Sequence, residues 1–174
     1  MGCRGDVVLR DHHHTEEHVR ASGLAWTFLR DNLYLDFFPF MAGEDGVIRG
    51  PAGDGLVAAV AQDDIAAAAH AVLLDARAHA GATYSLTGPE ALSIADVADT
   101  MSAVTGRAVT FHDETLDEAY ASRASYGAPD WQVDAWVSTY LAIAAGELAG
   151  VTDDVERLSG RTPMSLEQLL RAQS

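Results

Sequence analysis

Four histidines near the start of the chain, His12, His13, His14 and His18, are the first residues whose type and spacing could do chemistry. His14 and His18 share a helical face at i, i+4, as zinc-binding pairs do, but an H-E-x-x-H core and a third ligand are missing. Three consecutive histidines point in three directions around a helix, so a solvated helix start is the better reading and no metal site is expected. One histidine remains a candidate for the edge of a ligand site. The segment Gly53-Asp54-Gly55-Leu56-Val57-Ala58 matches G-x-G-x-x-A, the relaxed dinucleotide fingerprint. That fingerprint works only where a strand runs into the first glycine and a helix opens inside the motif, aiming its amides at pyrophosphate. Here Pro51 precedes it and a strand-like segment, residues 57–60, follows, so a turn between two strands is expected instead. The acidic pairs Glu16-Glu17, Asp63-Asp64 and Asp153-Asp154 read as helix starts or exposed faces. No G-x-S-x-G elbow or paired catalytic Cys and His is present.

Composition narrows the chemistry further. A net charge of −15 over 174 residues argues against sequence-independent nucleic-acid binding and against anionic membrane surfaces. No apolar run approaches the ~20 residues that span a bilayer, and no signal-peptide layout is seen, so cytoplasm is the expected location. The single Cys3 rules out an internal disulfide framework and a cysteine-based zinc site. All eleven basic residues are arginine. Without a lysine there can be no Walker-type loop, Schiff-base amine or Tyr-Lys catalytic pair.

The elements that must position any site are mixed. A helix from a cap at Asp11 to about Ala21, a Ser22-Gly23 stop, a buried strand over residues 24–29 and a polar exit at Arg30-Asp31-Asn32 read as half of a doubly wound α/β domain. Ligands in such sheets lie beyond the carboxyl ends of the strands. Residues 6–9 read as a strand tail or a disordered start. Residues 34–41 are aromatic and suit a short helix or turn. Asp63-Asp64 opens a helix with Ile65, Ala68, Ala69, Val72 and Leu73 on one face. Strands are expected over residues 47–55 (with a Gly/Pro loop), 57–60, 83–86 and 109–111. Ser93-x-x-Asp96, Thr115-x-x-Glu118 and Ser165-x-x-Gln168 are capping-box starts, the first ending at Gly106. A long helix runs from Asp130 to about residue 149. The order becomes mostly helical after residue 112. Trp131, Trp136 and Tyr140 are first read as core, although Gly127-Ala128-Pro129-Asp130 is a rigid entry that sets Trp131 where pockets form.

Asp11-His12, Thr15-Glu16 and the run from Arg20 through Trp26-Thr27-Phe28-Leu29-Arg30-Asp31-Asn32-Leu33 to Tyr34 resemble NmrA-like atypical short-chain dehydrogenase/reductases. The NAD(P)H:quinone oxidoreductase-like branch is the nearest. Gly50 to Gly55, Asp64-Ile65-Ala66, Tyr84 to Gly88 and the helical end from Tyr120 to Leu170 follow in the family's order. The resemblance covers nearly the whole chain but only the family's C-terminal half.

It implies an α/β, partial Rossmann-like fold. Residues 1–111 would be the C-terminal part of an NAD(P)-binding domain and residues 112–174 a helical substrate-side subdomain. It further implies NADP(H) or NAD(H) as cofactor and a quinone-like small-molecule acceptor. His12, Asn32 and Tyr34 would line the nicotinamide end, and Trp131 and Tyr140 would cover the acceptor. Glu17 stands where classical relatives carry the catalytic lysine, which removes Tyr-Lys acid/base chemistry. With the N-terminal Gly-rich loop and first strands not encoded, this chain alone is expected to bind the dinucleotide poorly. It is also expected to self-associate, or to pair with a missing N-terminal half, along an open strand edge. The catalytic residues are not assigned. The alternative is a non-catalytic NmrA-like dinucleotide sensor, or a regulatory or protein-interaction module.

Overall fold

The computed structural model describes residues 7–173, and Cys3 and Asp6 lie outside them. The chain runs α1 (Val7–Ala21), β1 (Phe28–Asp31), a single 3-10 turn (Leu35–Phe37) leading into α2 (Phe38–Met41), β2 (Val47–Gly50), β3 (Leu56–Val57) and α3 (Gln62–Leu74). It continues with β4 (Thr83–Leu86), β5 (Leu92–Ser93), α4 (Ile94–Thr105), β6 (Thr110–Asp113), α5 (Leu116–Arg123), α6 (Asp130–Ala144), α7 (Asp154–Ser159) and α8 (Leu166–Ala172). β1 pairs parallel with β4, Phe28 opposite Thr83, and β2 pairs parallel with β6, Val47 opposite Thr110. β3 and β5 form a short antiparallel pair. The mixed α/β class with parallel strands is the one expected.

The capping boxes at Ser93, Thr115 and Ser165 all form, each hydroxyl accepting from the N3 amide while the N3 side chain reaches back. α4 stops at Gly106, whose φ of +70° costs glycine nothing. The main core gathers Phe38, Ile48, Ile94, Val97, Ile143 and Leu166 from five segments. A second cluster, Val60, Ala68, Leu86 and Val155, fills the space between α3, α7 and β4.

Several expectations are corrected. α1 begins at Val7, so Asp11 lies inside the helix, and residues 7–9 follow the helix rather than their β propensity. The buried strand expected over residues 24–29 is β1, shifted toward the polar exit, and Leu24 is 71% exposed. The physical reason is that β1 pairs only with β4, leaving its outer edge unpaired among the described residues. The strand expected over residues 57–60 is only β3 plus a single parallel bridge from Val60 to Tyr34. Leu73 is exposed because Asp64, Ala68 and Val72 form the inward face of α3. α6 ends at Ala144, short of residue 149, with Gly146 turning the chain at φ +76°. Asp64 is buried rather than solvated: its carboxylate accepts from the Met164 amide (2.6 Å) and from Arg161 (3.1 Å), fastening the C-terminal segment to α3. Asp154 likewise accepts from the Ser85 amide at 2.8 Å.

α1 is held by a small set of contacts. Glu16 accepts from Arg30 at 2.8 and 2.7 Å and from Arg20 at 2.8 Å, and the Arg20 guanidinium lies 5.1 and 4.7 Å from the stacked rings of Trp26 and Phe28. The Arg30 hydrogen bonds, then those of Arg20, hold the Glu16 carboxyl down from 4.5 to about 2. A carboxyl whose folded value lies below its unfolded one stabilises fully above the unfolded value and loses that contribution as pH falls. α1 should therefore loosen from β1 as pH drops from about 4.5 toward 2. Hydrogen exchange of α1 amides measures this, and protection unchanged across that window would contradict the clamp.

Candidate functional site: a cleft beyond the carboxyl end of β1

β1 carries its chain to the carboxyl edge of the parallel pair at Asp31, opposite Leu86. Just beyond it opens a cleft of about 340 Å³, lined by Asp31, Asn32, Leu33, Tyr34 and Phe37, by Ser138, Thr139 and Ala142 of α6, by Leu148, and by His12 of α1. Its position is the one where open α/β sheets hold ligands, and its size and mainly apolar walls suit a small organic molecule.

Each wall has a local cause. The Asn32 amide nitrogen donates to Leu148 O (3.0 Å) and its carbonyl oxygen accepts from the Leu33 amide (2.7 Å), so the residue ties the β1 exit to the segment after α6. Tyr34 stacks on Phe37 with ring centroids 5.7 Å apart, and its hydroxyl donates to Asp31 Oδ2 at 3.3 Å. Ser138 and Thr139 both bond back to Ala135 O, at 2.9 and 3.1 Å, which leaves their side of the cleft comparatively inert. Desolvation against the cleft wall raises the Asp31 carboxyl above its ordinary value, opposed by the Tyr34 hydrogen bond. The Tyr34 hydroxyl is raised too, by desolvation first and then by the neighbouring Asp31 charge.

Of the residues singled out in the sequence, His12, Asn32 and Tyr34 meet in this cleft, and Trp131 and Tyr140 do not line it. Trp131, 69% exposed, sits on the first turn of α6. It shares the helical stripe of Ala135, Ser138 and Ala142, about 10 Å along the axis from Ser138. Tyr140 points the other way. Its ring packs where a Gly50 Cβ would stand and lies 5.3 Å from the Arg123 guanidinium. Burial pushes its phenol up to about 12. Ser138, Thr139, Ala142 and Leu148 were missed because only the tertiary fold brings α6 and the segment after it beside β1, and Phe37 because it reads as core. Asp31 was visible as part of the polar strand exit.

The Gly53–Gly55 segment is a turn between β2 and β3, with the Gly53 amide donating to Asp113 at 2.8 Å, and no helix opens within it. His13 and His14 lie 3.4 and 3.8 Å from Glu17. Among the described residues no group of three His, Cys, Asp or Glu side chains is placed to hold a metal ion. No described helix is long and apolar enough to cross a membrane.

The Asn32 hydrogen bonds make a structural prediction. Asn32→Ala should lower stability by about 1 kcal/mol, the cost of losing two hydrogen bonds to partly buried backbone groups. Thermal denaturation checks this, and an unchanged midpoint would show that these two bonds do not hold the cleft wall in place.

A parallel α/β unit with a ligand-sized cleft beyond a strand's carboxyl end is of the Rossmann-like class of fold. Comparison with known proteins finds the chain similar to NAD(P)H-dependent azo and quinone reductases and, in fold, to an NmrA regulator. No family model matches. The chain is 33% identical over 160 residues to an NAD(P)H azoreductase of Xenophilus azovorans, covering 90% of this chain and 56% of that protein. It superimposes on the NADPH-dependent quinone oxidoreductase of Escherichia coli, solved with NADPH, at a TM-score of 0.85 and 28% identity, covering 98% of this chain and 62% of that one. The negative transcriptional regulator NmrA, solved with NAD, shares the fold at a TM-score of 0.66 and 20% identity, covering 90% of this chain and 54% of that one. The chain thus spans about half the length of the curated relatives it matches, such as the azoreductase at 56%.

Proposed function

We propose that this chain forms the acceptor side of an NAD(P)H-dependent oxidoreductase that reduces a planar, quinone-like small molecule. The observation that carries this reading is the cleft at the carboxyl end of β1, mainly apolar, with Asp31, Asn32, Tyr34, His12 and the two α6 hydroxyls of Ser138 and Thr139 as its polar lining. The relatives named above, an azoreductase and a quinone reductase, support the acceptor class. In this reading His12, Asn32 and Tyr34 face the nicotinamide end, and Trp131 flanks the outer approach along the α6 stripe. Tyr140 serves from behind, seating α6 against Gly50 and Arg123. The division near residue 112 belongs to this reading as well.

The cofactor implied by the relatives does not fit the described residues as a whole. A dinucleotide's pyrophosphate needs a glycine loop running from strand into helix. The one Gly-x-Gly turn here leads from β2 to β3. Arg30 of β1 and Arg20 of α1 are both engaged by Glu16. The cleft can hold and orient an acceptor, and the dinucleotide would have to be gripped by another part of the assembled reductase. The open edge of β1 is where another chain or copy would pair, since an unpaired edge offers a template for a further strand.

The regulatory reading is favoured by one observation, the complete absence of lysine. It expects no acceptor in the cleft. Amide chemical-shift mapping with duroquinone, a fully substituted quinone that cannot alkylate a thiol, separates the two. Shifts concentrated on Asp31–Tyr34 and Ser138–Ala142 support the acceptor side. Shifts scattered over the surface, or none, would overturn it.

A further inference from the structure

We propose that Asp31 and Tyr34 together read the oxidation state of the cleft's ligand, favouring the hydroxyl-bearing hydroquinone form over the carbonyl-bearing quinone form. This rests on the acceptor-side reading of the cleft and adds to it which form the site retains.

Asn32 already spends an amide hydrogen on Leu148 and an oxygen lone pair on Leu33, and both α6 hydroxyls donate to Ala135 O. Arg30, next to Asp31 in sequence, is bound to Glu16 through two nitrogens. Asn32 keeps a second amide hydrogen and lone pair, and the two hydroxyls keep lone pairs. Among the lining side chains, however, only the Asp31 carboxylate is an acceptor with no proton to give, beside the Tyr34 hydroxyl and the ring of His12. An ionised carboxylate only accepts, whereas a phenolic hydroxyl both donates and accepts. A hydroquinone can donate to Asp31 while accepting from Tyr34. A quinone carbonyl offers only lone pairs and meets Asp31 as one acceptor facing another. The 3.3 Å Tyr34–Asp31 contact is long for a hydroxyl-to-carboxylate bond, so exchanging it for a ligand contact costs little.

The raised Asp31 carboxyl gives the preference a pH sense. Above its raised value Asp31 is an acceptor and hydroquinone is preferred. As pH falls through that value the carboxyl gains a proton, can donate to a quinone carbonyl, and the preference shrinks. The titratable groups facing the pair are few: Tyr34 from its own segment and His12 from α1, while α6 presents only Ser138, Thr139 and Ala142.

Anaerobic binding titrations of duroquinone and durohydroquinone, on the wild-type chain and on Asp31→Asn and Tyr34→Phe, test this. At neutral pH the wild-type chain should hold durohydroquinone about ten-fold more tightly, the scale of one unmatched polar contact. Asp31→Asn, which offers both a donor and an acceptor in the same volume, should bring the two affinities within about two-fold. Tyr34→Phe keeps the ring on Phe37 and should weaken both forms. An Asp31→Asn variant that keeps the wild-type ratio would overturn the proposal. Equal wild-type affinities would overturn it while leaving the acceptor-side reading intact, and binding of neither form would overturn both.

Discussion

Glu114→Ala should destabilise the protein by about 3–5 kcal/mol, which for a chain of this size lowers the melting midpoint by roughly 10 °C. Glu114 and Arg123 are 3% and 9% exposed and meet at 2.8 Å behind α6. Arg123 also donates to Ala119 O and Arg49 O and lies 5.3 Å from the Tyr140 ring, joining α5 to β2 and α6. Removing the carboxylate leaves a guanidinium buried without its counter-charge, which costs far more than an exposed ion pair contributes. Glu114→Gln should cost distinctly less, because the amide oxygen still accepts. Differential scanning calorimetry of the pair of variants checks the order, and equal midpoints for wild type and Glu114→Ala would show the pair is not a structural anchor. The consequence for function is direct, since α6 supplies one wall of the cleft.

Ala142→Trp should abolish acceptor binding while leaving the fold intact. Ala142 sits on the cleft side of α6, between Thr139 and the Leu148 segment. An indole there occupies much of a cleft of about 340 Å³. Because the side chain grows into the opening rather than into the core, the overpacking penalty of ~1–3 kcal/mol for filled interiors should be largely avoided. We expect duroquinone affinity to fall by about a hundred-fold or more, ~3 kcal/mol, with the melting midpoint within a few degrees of wild type. Retained affinity would mean that the acceptor binds elsewhere.

What the sequence made legible was local. The capping boxes at Ser93, Thr115 and Ser165 pair residues three apart, so their geometry is written in adjacent letters. The polar exit of β1 was readable for the same reason, and it led to Asn32 and Tyr34. Long-range consequences were not. Asp64 read as a solvated helix start until the C-terminal segment folded back to use its carboxylate. Tyr140 and Thr139 are neighbours in sequence, yet a helix turns them to different faces, and only the position of β2 decides which one is buried. α7 was legible only at Asp153-Asp154, read as a helix start or an exposed face, because six residues carry too little periodicity to read. Asn32 illustrates the remaining ambiguity of sequence reasoning: a strand-exit amide suits a ligand, and here it also bonds Leu148 and Leu33.

The most direct test of the central claim, that this chain carries the acceptor side without a dinucleotide grip of its own, is a paired calorimetric titration of the purified chain. Duroquinone should give a saturable, one-site isotherm that Ala142→Trp removes, and NADPH should give no saturable heat in the low-micromolar range. Low-micromolar NADPH binding with no acceptor isotherm would contradict the account.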